Sequence, residues 1–365
     1  MAGKARHIFP GNNTPEGFYS YYHFILGQQE AEKIYCIKGG PGVGKSTFIK
    51  KIGEEMLSEG HDVDFMHCSS DSGSLDGAVI RDKKIALVDA TSPHIVDPIN
   101  PGAVDTIIHL GEFWNEEGIR RNRERIVAAN AELKTIYARA YNYFGAAGKM
   151  YDNISAIYEM GVKKGELYKL AAGIINKELT HKELSPELGS LKKYFASGIT
   201  PEGFVHYLET LARDYSRIYL IKAPVGVSGE KLLSLFAESA LYRGFDAEAY
   251  YCPLKPGTKV EHLLIPALGV AFLTHNYFHA IDEDRLEGEV IPVDLSKLLC
   301  AEKIQKQRHI AEDCFRKMEE LLSRGIACLS EAKTLHGSLE EYYIPNMDFT
   351  KIESLRKEIA KAICR

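Results

Sequence analysis

Residues Gly39-Gly40-Pro41-Gly42-Val43-Gly44-Lys45-Ser46 follow the pattern G-x-x-x-x-G-K-S, with Thr47 behind them. Ile34 to Ile37 form an apolar, β-favouring run before the glycines, and Phe48, Ile52 and Met56 recur every four residues after them. A strand entering a glycine turn and a helix leaving it is the context in which this pattern holds phosphate. Glycines let backbone N–H groups curl around an anion without Cβ clashes. The helix start at Lys45–Phe48 adds its dipole and its unpaired N–H groups. Lys45 is expected to reach the β- and γ-phosphates of a nucleoside triphosphate, and the Ser46 hydroxyl to ligate Mg²⁺. Outside that context the same glycines are only a turn.

Further polar residues fall where such a site needs them. Ile85-Ala86-Leu87-Val88-Asp89 is an apolar strand closed by an aspartate, the place from which an aspartate holds Mg²⁺ through water. Ala90 follows it, where mechanical ATPases usually carry a water-activating glutamate. Asp71, in Cys68-Ser69-Ser70-Asp71, is either a base for a substrate hydroxyl or part of an Asx/Ser turn. His94 and Asp97 lie just beyond Asp89 and read more readily as structural than as catalytic. Arg120, Arg121, Arg123 and Arg125 crowd one helix start, interleaved with Glu116, Glu117 and Glu124. Such a cluster is either a solvated face or a lid that neutralises a phosphoryl group. Tyr137, Tyr141, Tyr143 and Tyr151 read as helix packing.

The elements that must position these residues occur twice. Thr14-Pro15-Glu16-Gly17-Phe18 returns as Thr200-Pro201-Glu202-Gly203-Phe204, and Lys33–Lys38 as Arg217–Lys222. Gly60 and Asp62 meet Gly244 and Asp246, Cys68 meets Cys252, and His94 meets His279. Each half is expected to open with a lead-in helix (15–28, 201–214), then alternate strands and helices as a three-layer α/β domain. Short runs at 78–80 and 106–109 are expected to add edge strands. A helical extension should close each half, broken at Gly145–Gly148 in the first and folded back as a hairpin. The expected divisions are 1–111, 112–190, 191–296 and 297–365. In the second copy, Gly229 and Glu230 replace the lysine and the serine, and Thr274 replaces Asp89. A carboxylate at that helix start repels phosphate, so one working site is expected, unless Lys231 compensates.

The 365 residues suffice for two or three domains, and 45% hydrophobic with 26% charged residues is ordinary for a globular protein. A net charge of -5 gives no pull toward nucleic acid or anionic lipid. Seven scattered cysteines form no C-x-x-C pair, and Met-Ala-Gly-Lys-Ala-Arg-His has no apolar signal core, so the expected setting is the cytoplasm.

Gly39–Thr47 together with Asp89 resembles the P-loop NTPase superfamily. The whole chain is similar to a family of internally duplicated bacterial P-loop proteins of the ATPase or nucleotide kinase-like kind. That similarity runs through Thr14–Tyr19, Cys68–Asp71, Ser74–Gly77 and Asp89–Pro98. It implies an ATP and Mg²⁺ site and names no reaction. Two activities stay open: ATP hydrolysis or phosphoryl transfer to a small molecule, or a nucleotide-gated interaction protein with little turnover. No N-K-x-D guanine motif is present, which favours ATP over GTP.

Overall fold

The computed structural model describes residues 2–92 and 96–365. It is a mixed α/β structure built on two six-stranded sheets. The first half contributes β1 (Ala5–Ile8), β2 (Gly11–Thr14), β3 (Gly17–Ser20), β4 (Lys33–Lys38), α1 (Lys45–Ser58), β5 (Val63–His67), β6 (Leu75–Ile80), β7 (Ile85–Asp89) and β8 (Asp105–His109). Three helices follow: α2 (Glu116–Arg120), α3 (Arg123–Glu159) and α4 (Lys164–Leu179). The second half contributes β9 (Leu191–Tyr194), β10 (Ser197–Thr200), β11 (Gly203–His206), α5 (Leu208–Ala212), β12 (Arg217–Lys222), α6 (Glu230–Leu241), β13 (Ala247–Tyr251), β14 (Val260–Ile265), β15 (Val270–His275) and β16 (Glu289–Asp294). It closes with α7 (Ala301–Gln305), α8 (Arg308–Glu340) and α9 (Phe349–Cys364).

The sheets run β1-β5-β6-β7-β4-β8 and, read from the other edge, β9-β13-β14-β15-β12-β16. Position by position these are the same strands of each half, and in each sheet one internal strand, β6 or β14, is antiparallel to its neighbours. The run near residue 78 is therefore internal, whereas 105–109 lies at the edge. The sequence around 75–80 is apolar throughout because both of its faces are covered.

The expected lead-in helices are not formed. Residues 11–20 and 197–206 are antiparallel hairpins, and only the 3-10 turn Tyr22–Phe24 and the five residues of α5 are helical there. The turn decides it: Gly17 and Gly203 sit at φ +96° and +103°, and Thr14 and Thr200 donate their hydroxyls to those glycine carbonyls.

Period-2 alternation sorts each sheet's side chains. Tyr35 and Ile37 of β4 face α1, while Ile34 and Cys36 join an inner core. That inner core also holds Ile218 and Leu220 of β12, with Tyr22, Ile25, Leu208 and Leu211 from the lead-in segments. Each sheet thus carries its long helix on one face and shares its other face, with α5 and the Tyr22–Phe24 turn between, with the opposite half, so the expected three-layer sandwich per half is replaced by one common stack.

The helical extensions cross over. α3 runs unbroken through Gly145 and Gly148 for 37 residues and packs antiparallel on α8, with Phe144 fully buried against Gly325. Gly148 does not break the helix; a Cβ there would stand 3.0 Å from Pro15, so glycine admits the β2–β3 turn. α4 lays Leu167, Ala171 and Ile174 on α6 of the second half. α9 lays Ile352, Ile359 and Ile363 on α1 of the first. The expected self-contained hairpins are absent because each apolar stripe finds its partner in the other half.

Candidate functional site

Residues 39–44 turn between β4 and α1, with Gly42 at φ +66° and Gly44 at φ +88°. Left-handed backbone costs a residue bearing a Cβ roughly 1–2 kcal/mol, so these two positions require glycine. α1 begins directly behind, with no side-chain cap on its first N–H groups. Lys45 Nζ donates to the carbonyls of Gly39 at 3.2 Å and Gly40 at 2.8 Å, and stands 3.7 Å from Asp89 Oδ2. Pairing of Ile37 with Asp89 across β4 and β7 sets that carboxylate beside the root of the loop. Asp89 Oδ1 accepts from the Thr91 N–H at 2.9 Å and from the Thr91 hydroxyl. Ser46 Oγ accepts from the Leu75 N–H at 2.9 Å.

A lysine, a hydroxyl and a carboxylate thus meet at the carboxyl end of parallel strands, where open α/β sheets take ligands. The cation and the uncapped N–H groups suit an anion. Ser46 and Asp89 offer two oxygens of the kind Mg²⁺ takes, which completes its octahedron with water and phosphate. Among the described residues no group of three or more His, Cys, Asp or Glu is arranged to hold a metal. A metal at this place would lean on those two oxygens and on the ligand's own. Pro41, Val43 and Thr47 differ in role: Val43 is buried beneath the loop, Pro41 is half-buried and Thr47 is exposed.

Asp71 belongs to the same edge. Ser74, next to Leu75, donates to Asp71 Oδ2 at 2.7 Å, and Lys333 of α8 reaches Asp71 Oδ1 at 2.8 Å. Partial burial pushes the Asp71 carboxyl up, but Lys333 and Ser74 outweigh it and hold it below the usual carboxylate range. Lys333 also donates to Glu202 at 2.6 Å, and its two carboxylate partners push it up to about 12. Ser72 completes the group through Glu202 at 3.0 Å.

The outer side of the loop is covered by the second half. A Cβ on Gly40 would lie 2.9 Å from the Tyr343 ring, and one on Gly42 would lie 3.0 Å from both Glu340 Cβ and Ile344 Cγ1. Trp114 packs beside Gly40 as well. The contacts of Tyr343, Glu340 and Ile344 with the loop, and of Lys333 with Asp71, escape sequence reasoning because they join residues more than 250 positions apart. The repeated Thr-Pro-Glu-Gly-Phe was the available signal for Glu202, since it marks the turn that Lys333 reaches.

The second loop is different. Gly226 is fully packed: a Cβ there would stand 2.5 Å from Ile154 at the end of α3. Glu230 occupies the first position of α6 and accepts from Ser234, while Lys231 is exposed and does not take the place of Lys45. Beside it, the edge matching Asp71–Asp89 holds Lys259, whose Nζ meets Tyr151 at 2.8 Å and Glu261 at 3.1 Å. Burial pushes Glu261 up, but Lys259 overrides it and brings the carboxyl down to about 2. Glu261 and Asp76 are the second residues of β14 and β6, so Lys259 stands where the first half has Ser74. An internal ion pair fills this end of the second sheet.

Of the remaining candidates, Asp97 is exposed and pairs with Lys38 at 2.9 Å. Tyr137 and Tyr141 donate to Ser70 and Asn13, which fits packing. His94 lies outside the described residues. Its counterpart His279 is buried against Ser197 at 2.8 Å, in keeping with a structural part. No helix of the described residues is long and apolar enough to cross a membrane. Comparison with protein families, with characterised proteins and with solved structures finds no match for this chain.

Proposed function

We propose that the chain is an internally duplicated P-loop protein that binds Mg²⁺–ATP at Gly39–Thr47 and either hydrolyses it or passes its γ-phosphoryl group to a small molecule. The observation that carries this is the loop itself: two left-handed glycines deliver Lys45 and Ser46 to a helix start, with Lys45 Nζ 3.7 Å from the aspartate that ends the neighbouring parallel strand. In this reading Lys45 and the loop N–H groups stabilise the transferring charge, Ser46 and Asp89 hold Mg²⁺, and Asp71 orients the acceptor. The matching strand orders support the duplication. The packed second loop and the Lys259–Glu261 pair support a single working site. Seven unpaired cysteines suit a reducing cytoplasm.

The test follows the γ-phosphate of labelled Mg²⁺–ATP, with protein alone and with a small-metabolite extract. A phosphorylated metabolite appearing only with extract identifies a kinase, and extract-independent phosphate release identifies an ATPase. Lys45→Ala should abolish either, and turnover retained in that variant defeats the assignment. A second reading, nucleotide-gated interaction with little turnover, draws on the Glu340–Ile344 cover over the loop. Tight ATP binding with no turnover in both arms would favour it.

A further inference from the structure

We infer that the turn joining α2 to α3 receives the phosphate of a second ligand, an acceptor that already carries a phosphoryl group; this rests on the Mg²⁺–ATP reading of the neighbouring loop. Arg120, Arg121, Arg123 and Arg125, all exposed, line with Asn122 and Glu124 an open surface depression of about 550 Å³. Arg121 is paired with Glu117 at 3.0 Å. Among the described residues, Arg120, Arg123 and Arg125 have no carboxylate within ion-pair distance. Three exposed guanidiniums without a carboxylate partner in six residues make the turn locally positive, and an anion bound across them gains from all three. Their position sharpens the point. Arg123 and Arg125 occupy the first turn of a 37-residue helix, the end at which cations are disfavoured and anions favoured. Guanidinium forks match phosphate geometry two bonds at a time.

The turn is also in the right place. Trp114 packs on Gly40 of the loop, Asn115 is tied to Asn346 at 2.7 Å, and α2 starts at the next residue. Arg120 is only about 6 Å of helix rise beyond Glu116. The second half provides an internal control. There α7, a two-residue link and α8 repeat the arrangement, and Gln305, Lys306, Arg308 and Ile310 hold the four positions. Two arginines are lost outright, and Arg308 is neutralised by Glu312 at 3.2 Å. The arginine cluster accompanies the loop that carries Lys45 and is dismantled beside the one that carries Glu230. A site next to a transferable γ-phosphate that takes a second phosphate suits a phosphorylated acceptor.

The experiment titrates inorganic pyrophosphate into the full-length Lys45→Ala protein by calorimetry. One binding event should remain, weaken steeply with salt, and fall at least tenfold in Lys45→Ala/Arg123→Ala/Arg125→Ala. Replacing both arginines by lysine should restore only part of it, since charge returns without the fork. Thermal melting should show the alanine variant as stable as its parent or more so, which separates lost binding from lost folding. In the Lys45 background, Arg123→Ala/Arg125→Ala should leave Mg²⁺–ATP affinity within about threefold. Pyrophosphate binding indifferent to the arginines overturns the proposal. So does a loss of ATP affinity as large as the loss for pyrophosphate, because the arginines then serve the nucleotide's own phosphates. A wild-type protein that fails to bind ATP defeats the loop assignment instead, and the pyrophosphate titration still reports on the turn separately.

Discussion

Gly42→Ala probes the contact on which the shared construction of the site depends. Its cost has two sources. At φ +66° an alanine is strained by about 1–2 kcal/mol whatever surrounds it. Its Cβ would also stand 3.0 Å from Glu340 Cβ and from Ile344 Cγ1 of the second half, closer than carbon atoms pack, which adds overpacking of about 1–3 kcal/mol. The two sources separate in a double-mutant cycle. Ile344 is 44% exposed, so Ile344→Ala alone removes only part of a side chain's burial, about 1 kcal/mol. In the double variant one of the two close contacts is gone while the backbone strain remains. Urea denaturation without nucleotide should therefore find the double variant about 1 kcal/mol more stable than the sum of the single effects. Additivity within about 0.4 kcal/mol would mean that the loop and residue 344 do not touch, and the account of a loop covered by the opposite half would fall.

Lys333→Met removes the cation that keeps Asp71 ionised and leaves the burial that opposes it, so the acid limb of a pH–rate profile should move to higher pH; an unmoved limb takes Asp71 out of the reaction. Burial pushes His67 and His279 down to about 4 and His262 well below its ordinary value. Between about pH 6.5 and 4 the unfolded chain therefore binds protons that the folded chain refuses, and stability falls as pH falls. A gap of that size is worth on the order of 3 kcal/mol per histidine, so a urea midpoint that stays flat from pH 7 to pH 5 contradicts it. Truncation after Asp348 strips Ile352, Ile359 and Ile363, all under a tenth exposed, from the outer face of α1. At about 2 kcal/mol each this rivals the stability of a typical domain, so the truncated chain should be protease-sensitive at 25 °C.

The local elements were legible where a short-range rule governs them. β4, the glycine loop and α1 follow from an apolar run, a spaced Gly-Lys-Ser and a four-residue repeat, and α9 from Ile352, Leu355, Ile359 and Ile363. The equal strand orders follow from matching segments separated by 184 to 186 positions. The lead-in helices failed because Thr14-Pro15-Glu16-Gly17 carries turn chemistry, a threonine hydroxyl reaching a left-handed glycine, that outweighs the helical look of its neighbours. Gly145 and Gly148 misled in the other direction. They mark a close approach of Pro15 to an intact helix, and an approach across 130 residues has no local signature. Lys333 was invisible for the same reason.

The exchange of helices gives the second half a structural part in the setting of the first loop, although it lacks the lysine, the serine and the aspartate. α1 behind the glycine loop is an amphipathic helix that faces two ways, toward its own sheet and toward α9. The inner face of the first sheet is buried with residues of the second. Arg6 reinforces that face, donating to Asp64 of its own half at 2.7 Å and to Glu248 of the other at 3.0 Å, all three largely out of water. A guanidinium that deep is tolerated only with both carboxylates in place, so Glu248 cannot be lost cheaply even though it is remote from the loop. The setting of the loop therefore depends on the core of the second half as well as on that of the first. What the second half lacks lies at its own loop, where Gly229 and Glu230 stand in place of Lys45 and Ser46, and Thr274 in place of Asp89.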